Sequence, residues 1–155
     1  MNGASRGMLP EGDPHHFDRT RSDAFKEADV ILIVGTPFDF RMGYGKKLNK
    51  KAKIIAVNHN YKNLNLNHGI FWNSTIKLNG DIPNFLERLS EDYQFKNDGW
   101  TQILSEREEK RNTEIDNLAL KQYSNNLNPI HLLKKLSNVL EDNSILVADG
   151  GDFVG

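Results

Sequence analysis

Two short stretches carry groups suited to an anionic ligand. In Gly35-Thr36-Pro37-Phe38-Asp39-Phe40-Arg41 a glycine-threonine pair follows an apolar run, so backbone N–H groups are expected to be exposed to a phosphate oxygen. Asp39 can accept from a ribose hydroxyl or orient Arg41, whose planar donor fork suits phosphate. An internal Asp39–Arg41 pair that fixes a turn is the alternative. The second stretch is Gly151-Asp152-Phe153, again a glycine turn after an apolar run. In an α/β fold the carboxyl end of a strand is where ligands are received.

Other spots are weaker. Gly43-Tyr44-Gly45-Lys46 lacks the third glycine of a dinucleotide fingerprint, and Gly45-Lys46-Lys47 lacks the hydroxyl residue of a P-loop. His15, His16, His59, His68 and His131 show no metal-ligand spacing. With no cysteine, a disulfide scaffold, a thiolate metal site and a cysteine nucleophile are excluded. No residue is assigned to a chemical step, and none to a metal.

Charge is unevenly spread. The formal net charge is -1, which gives no global attraction to nucleic acid or membrane. From Phe40 to Gly80 there is no Asp or Glu, while Arg41, Lys46, Lys47, Lys50, Lys51, Lys53, Lys62 and Lys77 are basic. This stretch reads either as a solvated lysine-rich surface or as one that receives a nucleotide or coenzyme A phosphate. Aromatics do not interleave with the lysines, so nucleic acid is not the expected partner.

These residues must be positioned by a small α/β framework. At 155 residues, 37% hydrophobic and 26% charged, the chain can bury a core. Residues 1–17 read as loop, and a helix is expected from Thr20, where Thr20-Arg21-Ser22-Asp23 has capping-box form. Val30-Ile31-Leu32-Ile33-Val34 predicts a strand covered on both faces; the run is too short to span a bilayer. A short helix over 46–51, a strand over 54–57, an asparagine-rich loop over 58–80 with a short strand at 75–78, and a helix capped by Asp81 follow. Residues 100–123 read as a charge-laced helix, and Asn128-Pro129 starts another. A final strand is expected at 144–148. The pattern predicts a parallel sheet.

Several segments together resemble one family. Gly3-Ala4-Ser5-Arg6-Gly7-Met8-Leu9-Pro10, the stretches 19–34 and 35–45, Ile55-Ala56-Val57-Asn58, Ile70-Phe71-Trp72 and Asn143-Ser144-Ile145-Leu146-Val147-Ala148-Asp149-Gly150-Gly151-Asp152-Phe153-Val154-Gly155 are similar to thiamine diphosphate-dependent enzymes of the acetolactate synthase group, in particular the 2-hydroxyacyl-CoA lyase branch. The resemblance implies a Rossmann-like central domain over 1–92, a helical linker over 93–127, and the opening of the diphosphate-binding domain over 128–155, in a chain that is a piece of a longer enzyme. It implies cleavage or formation of a carbon–carbon bond next to a carbonyl, with thiamine diphosphate and Mg²⁺ in the parent enzyme. FAD or an ADP-containing ligand is implied for the central domain.

On the same footing, Gly35, Thr36, Asp39 and Arg41 match the family's nucleotide-facing region, and Gly151, Asp152 and Phe153 the region near the cofactor diphosphate. The expected substrate is a 2-hydroxyacyl-CoA or, in the acetolactate-forming alternative, a 2-oxo acid. A homo-oligomer and an endoplasmic reticulum membrane location are implied for the parent, although no targeting or membrane segment is read in this stretch. The family's Gly-Asp-Gly triplet for Mg²⁺ is missing, so the piece alone is expected to be inactive. A non-catalytic nucleotide- or CoA-binding module remains the reading from another class. Where many relatives carry acidic residues after the second strand, this chain has Asn58-His59-Asn60.

Overall fold

Three apolar stretches form a parallel sheet: β1 (Val30–Val34), β2 (Lys53–Asn58) and β3 (Ile76–Asn79), in that order with β2 central. The structure, a computed structural model, describes residues 8–10, 12–92, 99–123, 126–141 and 143–147. The helices are α1 (Arg21–Glu27), α2 (Tyr61–Leu64), α3 (Ile82–Asp92), α4 (Trp100–Ala119) and α5 (Pro129–Ser137), with a 3₁₀ segment over Phe40–Gly45. The chain divides into two compact units, Met1–Glu109 and Lys110–Gly155.

The register places Ile33 beside Ala56, and Leu32, Ile55 and Ile76 in one row across the three strands. Ile31, Ile33, Ile54 and Ala56 point to the packed face, where they join Phe38, Leu48, Leu64 and Trp72 in one buried cluster. Phe25 of α1, Ala28, Met42 and Ala52 pack against it. The opposite face is largely open: Leu32 is 40% and Ile76 47% exposed. The expectation that β1 is covered on both faces is therefore corrected. Its burial alternates along the strand, as in a half-buried sheet.

Three other local expectations change. Residues 46–51 form turns instead of a helix. Asn49 explains this: its Nδ2 donates to the Ala28 carbonyl at 2.9 Å, and its Oδ1 accepts from the Lys51 N–H at 3.0 Å. Such side-chain bonds compete with a helical ladder. Thr20 precedes α1 but makes no side-chain cap bond to it; its hydroxyl donates to Glu108 at 2.9 Å. Residues 144–147 pair with no strand among the described residues, and Ile145 and Val147 are exposed.

The caps of the later helices follow the sequence. Asp81 Oδ2 accepts from the Asn84 N–H at 3.0 Å, in the first turn of α3. Asn128 Oδ1 accepts from the N–H groups of Ile130 and His131, with Pro129 in the first turn of α5.

Candidate functional site

The parallel arrangement brings the carboxyl ends of β1 and β2 side by side, which sets Gly35-Thr36 next to Asn58. Gly35 has φ +69°, and a Cβ there would lie 3.0 Å from Cδ1 of Ile82, the first residue of α3. Glycine is thus required both by the turn and by the approach of the helix. Its N–H donates to the Val57 carbonyl at 2.8 Å. The expectation that this N–H is exposed to a phosphate is corrected: the sheet uses it.

Asp39 and Arg41 form a closed unit. Asp39 Oδ1 accepts from the Arg41 N–H at 3.0 Å, and Oδ2 from Arg41 Nε at 3.0 Å and Nη2 at 2.5 Å. The Arg41 side-chain bond holds the Asp39 carboxyl below the usual aspartate range, and Asp39 raises the guanidinium in turn. Both the ion pair and the turn that it caps are therefore present, and this carboxylate is committed. Arg41 stays about half exposed, and Nη1 is not used by Asp39. The guanidinium lies 5.7 Å from the centroid of the exposed Phe40 ring. Together they offer a cation and an aromatic face beside the strand ends, which is chemistry for a phosphate and a flat base.

Asn58 is almost fully buried. Its Oδ1 accepts from the Asn60 N–H at 2.9 Å, while its Nδ2 has no partner. It borders a cavity of about 10 Å³ that is also lined by Thr36, Phe38 and Asn63. Leaving a buried amide donor unmade costs about 1–3 kcal/mol, so an acceptor is expected in that space.

Behind these residues sits an aromatic support. Phe38 and Trp72 have ring centroids 4.4 Å apart, and His68 stands edge-on to Trp72 at 5.0 Å. Trp72 also explains Gly45, where an added Cβ would come within 2.8 Å of the indole. The glycines of Gly43-Tyr44-Gly45 thus serve a turn beneath Trp72; Gly43 and Tyr44 both take left-handed backbone. Burial, and then Lys77, push the His68 imidazole below its ordinary value. The Ser74 N–H donates to its Nε2 at 3.2 Å, which needs the neutral ring.

The lysine-rich stretch is uncompensated. Lys46 lies over the Phe71 ring at 4.5 Å, Lys47 donates to Ser22 and Lys77 to Asn65. None of Lys46, Lys47, Lys50, Lys51, Lys53, Lys62 and Lys77 pairs with a carboxylate among the described residues. His15 and His16 contact Asp13 and Asp18, and no group that could hold a metal ion occurs among the described residues. Gly151, Asp152 and Phe153 lie outside the described residues. Sequence reasoning gave no sign of Glu108 or His68, because both act through partners chosen by the fold.

A parallel sheet with helices flanking its strands places the chain among α/β domains. Residues 2–89 match the family described as thiamine pyrophosphate enzyme, central domain. The chain belongs to that family. Over its whole length it is 39% identical to 2-hydroxyacyl-CoA lyase 2 of Danio rerio and of Homo sapiens, covering 25% of each. It is 30% identical to a probable acetolactate synthase of Mycobacterium bovis over 99% of this chain and 27% of that protein. The chain thus spans about a quarter of the length of the relatives it matches.

Proposed function

We propose that the whole protein is a thiamine diphosphate-dependent lyase acting on 2-hydroxyacyl-CoA, and that this chain supplies its nucleotide-facing central part. The observation that carries the reading is the end-to-end identity of 37–39% with 2-hydroxyacyl-CoA lyases 2, against 30% for the acetolactate synthases. Thiamine diphosphate, with Mg²⁺, supplies an electron sink for the pair released when a carbon–carbon bond beside a carbonyl breaks. No residue described here is given a part in that step, and no Gly-Asp-Gly triplet occurs in the sequence.

The residues present do fit an adenine nucleotide. Arg41, held by Asp39, presents Nη1 to a phosphate; Phe40 offers a ring to a base; Asn58 offers a buried donor. Thr36 lines the same small cavity as Asn58, directly after Gly35. The nucleotide is part of the acyl-CoA substrate or of FAD. The reading further includes a homo-oligomer at the endoplasmic reticulum membrane, supported by the resemblance to the lyase branch alone. No helix among the described residues is long and apolar enough to cross a membrane.

Assay of the whole protein on 2-hydroxyacyl-CoA and on pyruvate tests the activity. Turnover of the CoA ester that requires added thiamine diphosphate is expected. Turnover of pyruvate alone would replace the proposal with acetolactate formation. The 155-residue chain by itself should turn over neither.

A further inference from the structure

At the amino end of β2, away from the strand ends described above, lies an open groove of about 250 Å³. The turn over residues 48–52 forms one side and Ile70-Phe71-Trp72-Asn73 the other. Its floor belongs to the core, for Leu48, Ile54 and Trp72 are buried. Its far rim does not: Ile70 is 71% exposed. We propose that this groove receives an acidic segment of a partner polypeptide, which seats one large apolar side chain on the floor and sets carboxylates at the rims.

A cation stands on each side. Lys50 lines the first. On the other, the Lys46 ammonium lies over the Phe71 ring at 4.5 Å and over the Tyr44 ring at 5.5 Å. Neither lysine pairs with a carboxylate among the described residues, and no acidic residue lines the groove. Tyr44 is set beside Phe71 by left-handed backbone at φ +58°, which a bulky residue seldom adopts. The two rings thus hold Lys46 where it stands, so less freedom is lost when it meets an anion.

The size and the rims choose the partner. A dry cavity of about 150 Å³ holds a benzene, so this groove suits one aromatic or long aliphatic side chain. Sites for whole small ligands measure about 300–1,000 Å³ and enclose most of the ligand. A small acid lodged here leaves the exposed Ile70 and Tyr44 in water, whereas a chain crossing the groove covers them. Single-stranded nucleic acid stacks its bases on open aromatic faces, and Lys46 already lies over both rings. A bilayer takes up protruding side chains and offers nothing to a concave floor.

The test is fluorescence anisotropy of the 155-residue chain with a labelled peptide that carries a phenylalanine between two pairs of glutamates. Replacing the phenylalanine by serine should weaken binding roughly tenfold, as for the loss of a seated anchor. Lys46→Gln and Lys50→Gln should each weaken it roughly fivefold, the worth of one exposed charge pair. Lys62→Gln, on α2 and outside the groove, should leave it unchanged. Ile70→Ser should also weaken it, at an exposed position where the fold is not at stake. Absence of binding would overturn the proposal. So would binding indifferent to the phenylalanine, or an equal loss in all three lysine variants, since either marks diffuse attraction. Binding of 3-phenylpropionate as tight as that of the peptide would replace it with a small-acid site. Binding to phosphatidylserine vesicles that falls with Lys46→Gln and Lys50→Gln, while the peptide does not bind, would replace it with a membrane surface.

Discussion

Glu108 clasps Thr20. One carboxylate oxygen accepts from both the N–H and the hydroxyl of Thr20, at 3.0 and 2.9 Å, and the other accepts from the N–H groups of Asp18 and Arg19 at 3.2 and 3.0 Å. The first half of α4 is thereby tied to the residues that lead into α1. Burial pushes the Glu108 carboxyl up, but the four donors outweigh it and hold the group below its ordinary value. A depressed carboxylate stabilises the fold fully above the unfolded value of 4.5 and loses that contribution as pH falls through the folded value. Glu108→Gln should cost about 1–3 kcal/mol in urea unfolding at neutral pH. The gap from the unmodified protein should narrow in acid; a constant gap would refute the clasp.

His68 has a pH window of its own. Its ring is depressed in the fold, so its contribution is complete above the ordinary value of 6.5 and declines as pH drops toward the folded value. NMR titration of the ring should show protonation below 6.5, with the Ser74 amide shifting in step. A ring titrating above that value would contradict the contact.

Gly45 is fixed by Trp72. Gly45→Ala adds a Cβ within 2.8 Å of the indole at φ +83°, so a loss of about 1–3 kcal/mol is expected in thermal unfolding. Gly43→Ala, with nothing within 4 Å of the new Cβ, should cost less, although its φ of +55° also disfavours a side chain.

Asn128 joins two helix ends. Its Oδ1 caps α5, while its Nδ2 donates to the carbonyls of Leu118 and Lys121 at 2.8 and 2.9 Å. Asn128→Ala should therefore cost about 2 kcal/mol, at the upper end for a cap. Asn128→Asp keeps the cap and loses the second role, and should fall between; circular dichroism melts would rank the three.

Arg41 separates binding from stability. Its pair with Asp39 is exposed, so Arg41→Ala should move stability by no more than about 0.5 kcal/mol. If the strand ends receive a nucleotide phosphate, the same variant should weaken ADP binding roughly tenfold. Unchanged affinity would confine Arg41 to holding the turn.

What was legible in the sequence follows the range of the forces involved. β1 and β2 announce themselves through β-branched apolar runs, and α5 through Asn128-Pro129, because these signals act within a few residues. The open face of β1 was not legible: a run with no polar residue reads alike whether one side or both are covered. Residues 46–51 look helical by composition, yet Asn49 bonds to Ala28 and turns the chain away. The Glu108 clasp was out of reach, since its partners stand 88 to 90 positions earlier. At the strand ends, the residue types point to an anion site, but they do not tell that the Gly35 N–H is spent on the Val57 carbonyl or that Asn58 Nδ2 has no partner, because both follow from how β1 and β2 are paired.

The row of Leu32, Ile55 and Ile76 on the uncovered side of the sheet has a practical corollary. Greasy area left in water makes molecules adhere to one another as they are concentrated. Light scattering should climb with protein concentration and subside with mild detergent, and purification should be planned around dilute samples.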